Sequence, residues 1–377
     1  MATPGSGGIP GVPRWLAWGG ESVAMVRSAA SFQERWPWLG PDLQTLRDTI
    51  RPLPLPADRG EPITIDLEPI SSGPGPGTGP GAPGRGGCLV ALHDPPITGP
   101  AKGLVLVVHG LGGSSAREGV RRQALCLQRA GFAVLRLNLR GAGPGRALAA
   151  GTYAASCNAD LLPVVAKARA MAGSLPLLGV GLSLGGTMLL NALREQPQAL
   201  DGLVTASSPL DLAACSQAIG RPRNWVYQRW LLQRLVVQTL ADPFGVSGQE
   251  RQALLVGGGP RTIRAFDAAI TAPRWGYHTV DHYYAEASPL ASLLNDQSPS
   301  RAPLLLVHAA DDPWVPVDAL HQLVSGLNPG VNGGNQRGME VCIPAKGGHN
   351  GFHGVGDGPL GSWSDAVAVQ WLSALVA

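Results

Sequence analysis

A serine set in the sequence Gly-Leu-Ser-Leu-Gly at residues 181–185 is the side chain whose surroundings most directly suggest chemistry. An apolar run at residues 175–180 precedes it, and a helix-compatible run at residues 187–193 follows it. A Gly-x-Ser-x-Gly turn between a strand and a helix is typical of a nucleophile elbow, which holds the serine hydroxyl clear of the sheet. Ser183 is therefore the predicted nucleophile. A chance serine in a tight glycine turn would lack partners, so the interpretation depends on the residues downstream.

The predicted base is His349. A serine hydroxyl is a poor nucleophile at neutral pH and needs an adjacent base. His349 lies in the glycine-rich segment of residues 347–351, a few residues after the last predicted strand, which ends at Ile343. This position favours His349, because the loop can approach the serine. His353 is the competing candidate four residues further on, and a lone loop histidine is otherwise an ordinary solvated side chain.

Two adjacent carboxylates, Asp311 and Asp312, follow the preceding predicted strand. In hydrolases with this chain order, the orienting aspartate commonly lies four residues before a proline that opens the next helical region. Asp312 has that spacing from Pro316, and Asp311 does not. We therefore predict that Asp312 orients the histidine and that Asp311 caps a local turn. The order nucleophile, acid, base is that of α/β-hydrolases and differs from those of chymotrypsin and subtilisin.

Two backbone N–H groups must lie near the nucleophile to stabilise the oxyanion that forms when a carbonyl is attacked. Leu184 directly follows the serine, and Leu111 lies in the glycine-rich turn of residues 109–113, after a buried strand. We predict that these two leucines donate the N–H groups. His109 is predicted to brace the turn by hydrogen bonds rather than to act as a base. The turn is not a phosphate-binding loop, because no Lys-Ser/Thr pair follows its glycines.

The elements that must position these residues alternate along the chain. Strand-like apolar runs occupy residues 62–67, 88–92, 104–108, 132–137, 177–181, 203–206, 303–308 and 339–343. Helix-like segments occupy residues 116–130, 158–172, 317–327 and 362–376. Such alternation predicts an α/β protein whose parallel sheet is covered by helices on both faces. Together with the order of the candidate residues, it predicts the α/β-hydrolase fold with a mostly parallel sheet of eight strands.

The alternation stops between about residues 209 and 291, where the sequence is helix-like and rich in Trp and Tyr. We interpret residues 209–291 as a helical cap inserted after the sixth strand; ordinary core aromatics are the simpler alternative. Residues 35–208 and 292–377 then form the α/β-hydrolase core, and residues 1–34 form a Gly/Pro-rich N-terminal tail. The low-complexity stretch at residues 71–87 is expected to be a loop between two antiparallel edge strands.

The composition is that of a globular enzyme, since the 377 residues are 44% hydrophobic and 15% charged. The formal net charge of +3 is too small to indicate a nucleic-acid partner. The five cysteines are scattered without metal-ligand spacing, which indicates a reduced, cytoplasmic protein without structural zinc. No secretory leader or long apolar run is evident, so no transmembrane segment is predicted, while peripheral membrane contact is left open.

Beyond the candidate catalytic residues, the chain resembles the YheT-like branch of the α/β-hydrolases over about residues 35–376. The segments that carry the resemblance are residues 41–46, 109–115, 138–141, Tyr153 with Asp160 and Leu161, the cap segments 266–267, 271–273, 276–277, 283–284 and 287–288, and residues 311–313 and 347–352. The cap segments are much more specific than Gly-x-Ser-x-Gly. Asp42, Ala154 and Ser156 depart from the family pattern outside the catalytic residues, and so bear on substrate detail more than on activity.

The resemblance implies action on acyl esters, because the family includes bacterial carboxylesterases, animal phospholipases and yeast ethanol acyltransferases. We therefore predict a serine carboxylesterase or acylglycerol lipase. It would hydrolyse short- to medium-chain carboxylic esters, small-molecule or lipid, through an acyl-enzyme and without a metal or organic cofactor. Acyl transfer to an alcohol is the close alternative, since the same acyl-enzyme can be intercepted. A non-catalytic binding protein is disfavoured because all three catalytic residue types are present, and a dehalogenase because the elbow holds Ser183 rather than aspartate.

Overall fold

The strands of the fold form one mixed sheet. A computed structural model of the chain describes residues 25–27, 32–67, 86–295, 302–326, 338–358 and 360–377. The strands are β1 (Met25–Arg27), β2 (Glu61–Leu67), β3 (Gly87–Asp94), β4 (Leu104–Val108), β5 (Ala133–Asn138), β6 (Leu177–Leu182), β7 (Gly202–Ala206), β8 (Leu304–Val307) and β9 (Met339–Cys342). Their order across the sheet is β1-β9-β8-β7-β6-β4-β5-β3-β2. β3 is antiparallel to both β2 and β5, and the other neighbours are parallel.

Helices occupy most of the chain between the strands. They are α1 (Pro41–Ile50), α2 (Glu118–Arg129), α3 (Asn158–Ala172), α4 (Leu184–Glu195), α5 (Leu212–Ile219), α6 (Trp225–Leu240), α7 (Gly248–Leu255), α8 (Ile263–Phe266), α9 (Ala272–Arg274), α10 (Val280–Ala287), α11 (Leu290–Asn295), α12 (Asp318–Gly326) and α13 (Trp363–Leu375). A π-helical turn, Asp267–Thr271, joins α8 to α9. No described helix has the length and apolar character that a membrane span requires.

The central strand β4 is buried on both faces of the sheet. Its five residues are all Leu or Val, and all are buried. Leu104 and Leu106 belong to an apolar cluster with residues of α3 and α4, whereas Val105 and Val107 belong to a cluster with residues of α2 and α13. Because successive strand side chains point to opposite faces, one continuous apolar run packs against both helical layers. The predicted α/β-hydrolase fold class is therefore confirmed.

Two elements near the N-terminus carry no strong sequence pattern. All eight predicted strands are present as β2 to β9, and β1 adds a ninth at the edge by pairing in parallel with β9. Three residues are too few to display strand periodicity, and β1 lies within the segment assigned to the tail. Helix α1 was also not predicted, although Pro41 at its first position and Asp42 in its first turn are helix-start signals.

Helices α5 to α11 lie between β7 and β8, where the sequence predicts the cap. β7 is the sixth of the eight predicted strands. The inserted helices share an apolar cluster that includes Tyr227, Leu231 and Phe266. Other inserted side chains, such as Trp275 and Tyr283, join the cluster of the core. The division of the core and cap at residues 209 and 291 stays a prediction, and the stretch at residues 71–87 lies almost wholly outside the described residues.

Candidate active site

Ser183 occupies the turn between β6 and α4 in a backbone conformation that is unusual for a residue with a side chain. Its φ is 52° and its ψ is −127°. The Ser183 N–H donates a hydrogen bond of 2.8 Å to the carbonyl oxygen of Ala206 at the end of the neighbouring strand β7. Non-glycine residues adopt such positive φ values at a cost, and they persist where surrounding structure enforces them. The hydrogen bond to β7 and the close packing of the turn supply that constraint.

The glycines on both sides of the serine are required by close backbone contact. A Cβ atom added to Gly181 would lie 2.2 Å from the Cα of Gly186, and one added to Gly185 would lie 2.3 Å from the carbonyl oxygen of Val108. Both neighbours are backbone atoms, so neither can rotate away as a side chain could. The elbow can therefore fit between β4 and α4 only when both positions lack a side chain.

The substitution Gly181→Ala is expected to lower the free energy of unfolding by about 3 kcal/mol or more, because the added methyl group would overlap the backbone of α4. Gly119→Ala is the matched control: Gly119 lies in α2, where an added Cβ meets no atom within 4 Å. That control is expected to stabilise the protein by about 0.5–1 kcal/mol through its helix propensity. Unfolding in urea, followed by circular dichroism, measures both. Equal stabilities for the two variants would contradict the contact argument.

Of the three predicted residues, His349 lies in hydrogen-bond contact with both Ser183 and Asp312. The Nε2 atom of His349 is 3.0 Å from the Oγ of Ser183, and its Nδ1 atom is 2.8 Å from Oδ2 of Asp312. His349 follows β9, and Asp312 follows β8. The carboxyl ends of parallel strands meet at one edge of the sheet, so side chains 129 to 166 residues away from Ser183 converge there. When an imidazole lies between a hydroxyl and a carboxylate, it can take the proton of the hydroxyl on its own nitrogen.

Asp312 is held so that one oxygen faces the histidine. Its Oδ1 accepts hydrogen bonds from the backbone N–H groups of Trp314 and Val315, at 2.8 and 3.0 Å. Oδ2 is left to face His349, and the side chain is completely buried. Burial acts to raise the pKa of this carboxyl, but the charge and hydrogen bond of His349, together with His308 and the N–H of Val315, hold the pKa below its ordinary value. Asp312 is therefore ionised at neutral pH and fixes which imidazole nitrogen carries the proton.

The two competing candidates occupy other positions. Asp311 accepts a hydrogen bond of 2.9 Å from the backbone N–H of Gly348, so its carboxylate holds the histidine loop rather than the imidazole ring. His353 is buried, and its Nε2 lies 3.5 Å from Asp48. Burial, with the nearby Arg122 charge, lowers the pKa of His353 to about 3. Within the part of the chain that the structure describes, neither side chain hydrogen-bonds to Ser183.

The loop that carries His349 is held by α1, an element absent from the sequence prediction. The backbone N–H of His349 donates to Oγ1 of Thr45 at 2.9 Å. The fully buried Gln44 accepts from the N–H of His353 at 2.7 Å and donates to the carbonyl oxygen of the same residue at 3.1 Å. These contacts fix both ends of the segment around His349. In the sequence, the Gln-Thr pair at residues 44–45 belongs to the family resemblance, which indicates no role for it.

The imidazole also has an aromatic neighbour that sequence reasoning did not single out. The ring of Trp314 stacks on that of His349, with centroids 4.4 Å apart and planes 28° apart. Tyr227 of helix α6 contacts the same indole edge to face, at 5.2 Å between centroids. Such ring contacts favour particular offset geometries. The orientation of His349 is therefore coupled through Trp314 to the inserted helices.

The turn that contains Leu111 lies against the serine. A Cβ added to Gly110 would be 2.9 Å from the Cβ of Ser183. Leu111 and Leu184, the predicted oxyanion donors, both line the cavity into which Ser183 and His349 open. This proximity permits their N–H groups to serve an oxyanion, and the assignment of the two donors stays a prediction.

Tyr153 and His109 fix the shape of that turn. The Tyr153 hydroxyl accepts a hydrogen bond of 2.6 Å from the N–H of Gly112. His109 bonds through Nδ1 to the carbonyl oxygen of Gly110 at 2.8 Å, and its Nε2 accepts from the N–H of Leu139 at 3.3 Å. Burial lowers the pKa of His109 to about 4, so the ring is neutral and can both donate and accept. This arrangement matches the bracing role predicted for His109.

A cavity of about 300 Å³ opens in front of the serine. Its walls come from the glycine-rich turn, the elbow and the inserted helices, and they are mostly apolar; they include Leu111, Leu184, Leu212, Ile219, Leu231 and Phe266. A site of this kind accommodates an apolar chain beside a few fixed polar groups. The position of Leu231 and Phe266 shows that the inserted helices contribute directly to the space around Ser183.

The cavity wall also contains a polar cluster on the π-helical turn. Asp267 accepts hydrogen bonds from the hydroxyls of Thr271 at 2.7 Å and Tyr284 at 2.8 Å. Burial raises the pKa of Asp267 to about 6, against the opposing effect of those two bonds. In the sequence, these residues are recognised only as part of the cap segments that resemble the family, without a role of their own. A π-turn at a cavity is a frequent feature of functional sites, but no periodic pattern in the sequence distinguishes it from an α-helix.

Comparison with known proteins places the chain in a family. The family model described as Hydrolase_4 (serine aminopeptidase, S33) matches residues 99–330, more than half of the chain. Phospholipase ABHD3 of Mus musculus is 28% identical over 278 residues, which are 72% of this chain and 64% of that protein. The chain thus spans slightly less than two thirds of that relative. YheT of Escherichia coli strain K12 is 32% identical over 206 residues, covering 53% of this chain and 56% of that protein.

A solved structure agrees with the fold. An esterase of Pyrococcus furiosus superposes with a TM-score of 0.52 over 96% of this chain and 100% of that chain, at 13% sequence identity. At that identity the likeness supports the α/β-hydrolase architecture alone. The family match covers the elbow, the turn of Leu111 and the aspartate after β8. The chain therefore belongs to the Hydrolase_4 (serine aminopeptidase, S33) family, and the resemblance to YheT-like α/β-hydrolases inferred from its sequence is confirmed.

Proposed function

We propose that this protein is a serine esterase that hydrolyses carboxylic esters of short- to medium-chain acyl groups. The observation that carries the proposal is the position of His349, which lies 3.0 Å from the Ser183 hydroxyl and 2.8 Å from the Asp312 carboxylate. This contact sits at the base of a mostly apolar cavity. A serine positioned beside a base that is itself oriented by an acid is the arrangement that activates a hydroxyl for covalent catalysis.

Acylation is the first half of the proposed reaction. The Oγ of Ser183 forms a bond to the ester carbonyl carbon while Nε2 of His349 takes the hydroxyl proton. The carbonyl oxygen becomes an oxyanion, which the N–H groups of Leu111 and Leu184 would stabilise. The bond from carbon to the alcohol oxygen then breaks, and His349 returns the proton to the leaving alcohol. The acyl group remains attached to Ser183.

Deacylation reverses these roles with water. His349 removes a proton from a water molecule, whose oxygen bonds to the acyl carbon through a second oxyanion. The bond to Ser183 breaks, the proton passes to its Oγ, and the carboxylic acid leaves. Asp312 stays ionised throughout and stabilises the imidazolium that forms in each half, since its two backbone hydrogen bonds and burial hold it in place.

The cavity favours a small acyl ester over a bulky one. Its volume of about 300 Å³ is at the lower end of ordinary ligand sites. Apolar side chains from the elbow region and from the inserted helices face the space beside Ser183. A short or medium alkyl chain can bury its surface there, with a gain of about 0.8 kcal/mol for each methylene that is removed from water. The similarity to a phospholipase is consistent with an acyl-ester substrate. The length of acyl chain that the cavity accepts decides between small-molecule and lipid esters.

A fluorophosphonate probe tests the nucleophile directly. Such a probe reacts with the hydroxyl of an activated serine, so we expect one labelled site in the wild-type protein and none in Ser183→Ala. Mass spectrometry of the labelled peptide identifies the residue. The matched control is Ser207→Ala, which removes another buried hydroxyl next to the histidine loop while leaving Ser183 intact. An unlabelled wild-type protein, or labelling that survives Ser183→Ala, would reject the proposal.

The reaction itself is tested with p-nitrophenyl esters of graded acyl length, assayed with and without ethanol. We expect the highest kcat/KM between short and medium chains, and free acid as the main product. Ethyl ester as the main product in dilute ethanol would instead establish acyl transfer. A leucine p-nitroanilide serves as the aminopeptidase comparison, and preferential cleavage of that amide would contradict an esterase.

A further inference from the structure

The outer surface of the inserted helices exposes an unusual number of large apolar side chains. Within residues 225–256 these are Trp225, Val226, Trp230, Val237, Phe244, Leu255 and Val256. Three of them, Trp225, Val226 and Val237, are each 59–66% exposed. Isolated exposed apolar residues are normal on a soluble protein, but a cluster of this kind marks a surface that contacts something. We call the exposed apolar side of α6, formed by Trp225, Val226, Trp230 and Val237, the cap patch.

Helix α6 carries the cap patch along one side. Its exposed positions are Trp225, Val226, Arg229, Trp230, Gln233 and Val237, and their spacing places them along one side of the helix. The opposite side packs into the fold, where Leu231 and Leu235 belong to the apolar cluster of the inserted helices. The helix is therefore apolar on its outer side as well as on its inner side. Its own packing explains the inner side only.

The charge of this segment is strongly one-sided. Residues 221–240 contain four arginines and no aspartate or glutamate. The guanidinium of Arg229 lies 5.8 Å from the ring centre of Trp225, and that of Arg234 lies 4.8 Å from the ring centre of Trp230. Arg223, just before α6, pairs with Asp42 of α1 at 3.0 Å. Arginine and tryptophan combined on one exposed face complement a surface that is apolar beneath and anionic above.

The cap patch also borders the cavity that contains Ser183. Trp230 is 42% exposed at the outer surface, and the same side chain lines the cavity that contains Ser183. Leu231 and Leu235, one turn apart on the inner side of α6, line that cavity as well. A body resting on the outer side of α6 would therefore lie next to the entrance of the site. This continuity favours an apolar or amphipathic occupant that can deliver material to the cavity.

We propose that the cap patch docks on a lipid bilayer that contains anionic headgroups. Trp225, Val226 and Trp230 would enter the boundary between headgroups and acyl chains, and the exposed Arg229 of α6 would contact phosphates. Docking of this kind holds the protein at the surface without a membrane-spanning segment. The proposal concerns the outer side of α6 and does not depend on the ester chemistry proposed for Ser183.

Co-sedimentation with vesicles tests the proposal, with the full-length chain as the sample. We expect binding to vesicles of phosphatidylcholine with phosphatidylglycerol, weaker binding to phosphatidylcholine alone, and a loss of the difference at about 0.5 M salt, where screening is short-ranged. The double variant Trp225→Ser/Val226→Ser should bind at least about 10-fold more weakly, which corresponds to about 1.4 kcal/mol. Arg229→Ser should lower binding to anionic vesicles selectively.

Ile97→Ser is the matched control, because Ile97 is 52% exposed but lies outside the inserted helices. The control variant should bind vesicles as wild type does, and all variants should keep the wild-type unfolding midpoint and the fluorophosphonate labelling of the wild-type protein. Absence of wild-type binding to either vesicle would overturn the proposal, as would unchanged binding of the double variant. A patch covered by a second copy of the chain would appear as a dimer in gel filtration that the double variant dissociates, without vesicle binding; that result also overturns it.

Discussion

Replacing His349 with alanine is expected to lower kcat for ester hydrolysis by about 10⁶-fold, as loss of the base does in other serine hydrolases. The Nε2 atom of His349 is 3.0 Å from the Ser183 hydroxyl, so the variant loses the group that accepts its proton. It also loses the acid that protonates the leaving alcohol, which is why one substitution affects both halves of the reaction. Initial rates with a short p-nitrophenyl ester, corrected for spontaneous hydrolysis, provide the measurement.

His353→Gln is the paired control for this experiment. His353 is buried beside Asp48 and contacts Gln44 through its backbone N–H, which glutamine retains. The control should therefore keep kcat near the wild-type value while losing about 1 kcal/mol of stability through the altered side-chain contact. If His353→Gln abolished turnover and His349→Ala did not, the base would be the other histidine.

The substitution Asp312→Asn is expected to lower kcat/KM by about 10⁴-fold, the loss seen when the aspartate of another triad is neutralised. Oδ1 of the new amide can still accept from the N–H groups of Trp314 and Val315, so the local turn should persist. The amide nitrogen would then face Nδ1 of His349 and donate to it. That favours the tautomer with the proton on Nε2, which cannot accept the proton of Ser183.

Asp311→Asn separates the role of Asp312 from that of a nearby charge. The amide oxygen of the substituted residue can still accept from the N–H of Gly348, so the histidine loop keeps its anchor. We expect a much smaller loss of kcat/KM than for Asp312→Asn across a pH series. Equal losses in the two variants would contradict the assignment of Asp312.

The pKa of Asp312 is held below its ordinary value, so the wild-type rate should not fall from protonation of this carboxyl near neutral pH.

Local patterns were sufficient to predict the elbow and eight of the nine strands that the structure describes. The run Leu104–Val108 is apolar at every position, because parallel strands covered by helices on both faces need no polar side. The turn at Ser183 is recognisable from its glycines. The backbone of α4 and β4 leaves no room for a side chain at these positions. These signals are short-range and strong, so the sequence alone indicates the fold class and the site at the end of β6.

Contacts between distant segments could not be predicted in the same way. Thr45 bonds the backbone of His349, although 304 residues separate them. Trp314 stacks on the same imidazole, and Tyr227 from the inserted helices packs against that indole. Nothing in the local sequence of Thr45 or Tyr227 specifies these partners, because their side chains are common types in ordinary helices. The exposed side of α6 was missed for the same reason: an apolar helix does not reveal which of its sides is covered.

The sequence by itself determined the order Ser183, Asp312 and His349, and the alternation of strands and helices that makes this order meaningful. The tertiary structure decided the choice of contacts: Asp312 rather than Asp311 faces the imidazole, and His349 rather than His353 faces the serine. Spacing in the sequence favoured Asp312 over Asp311 and His349 over His353, but it carries no information about which side chains are in contact. Their side chains point in different directions once the backbone is folded, and only a hydrogen bond of about 3 Å can transfer a proton.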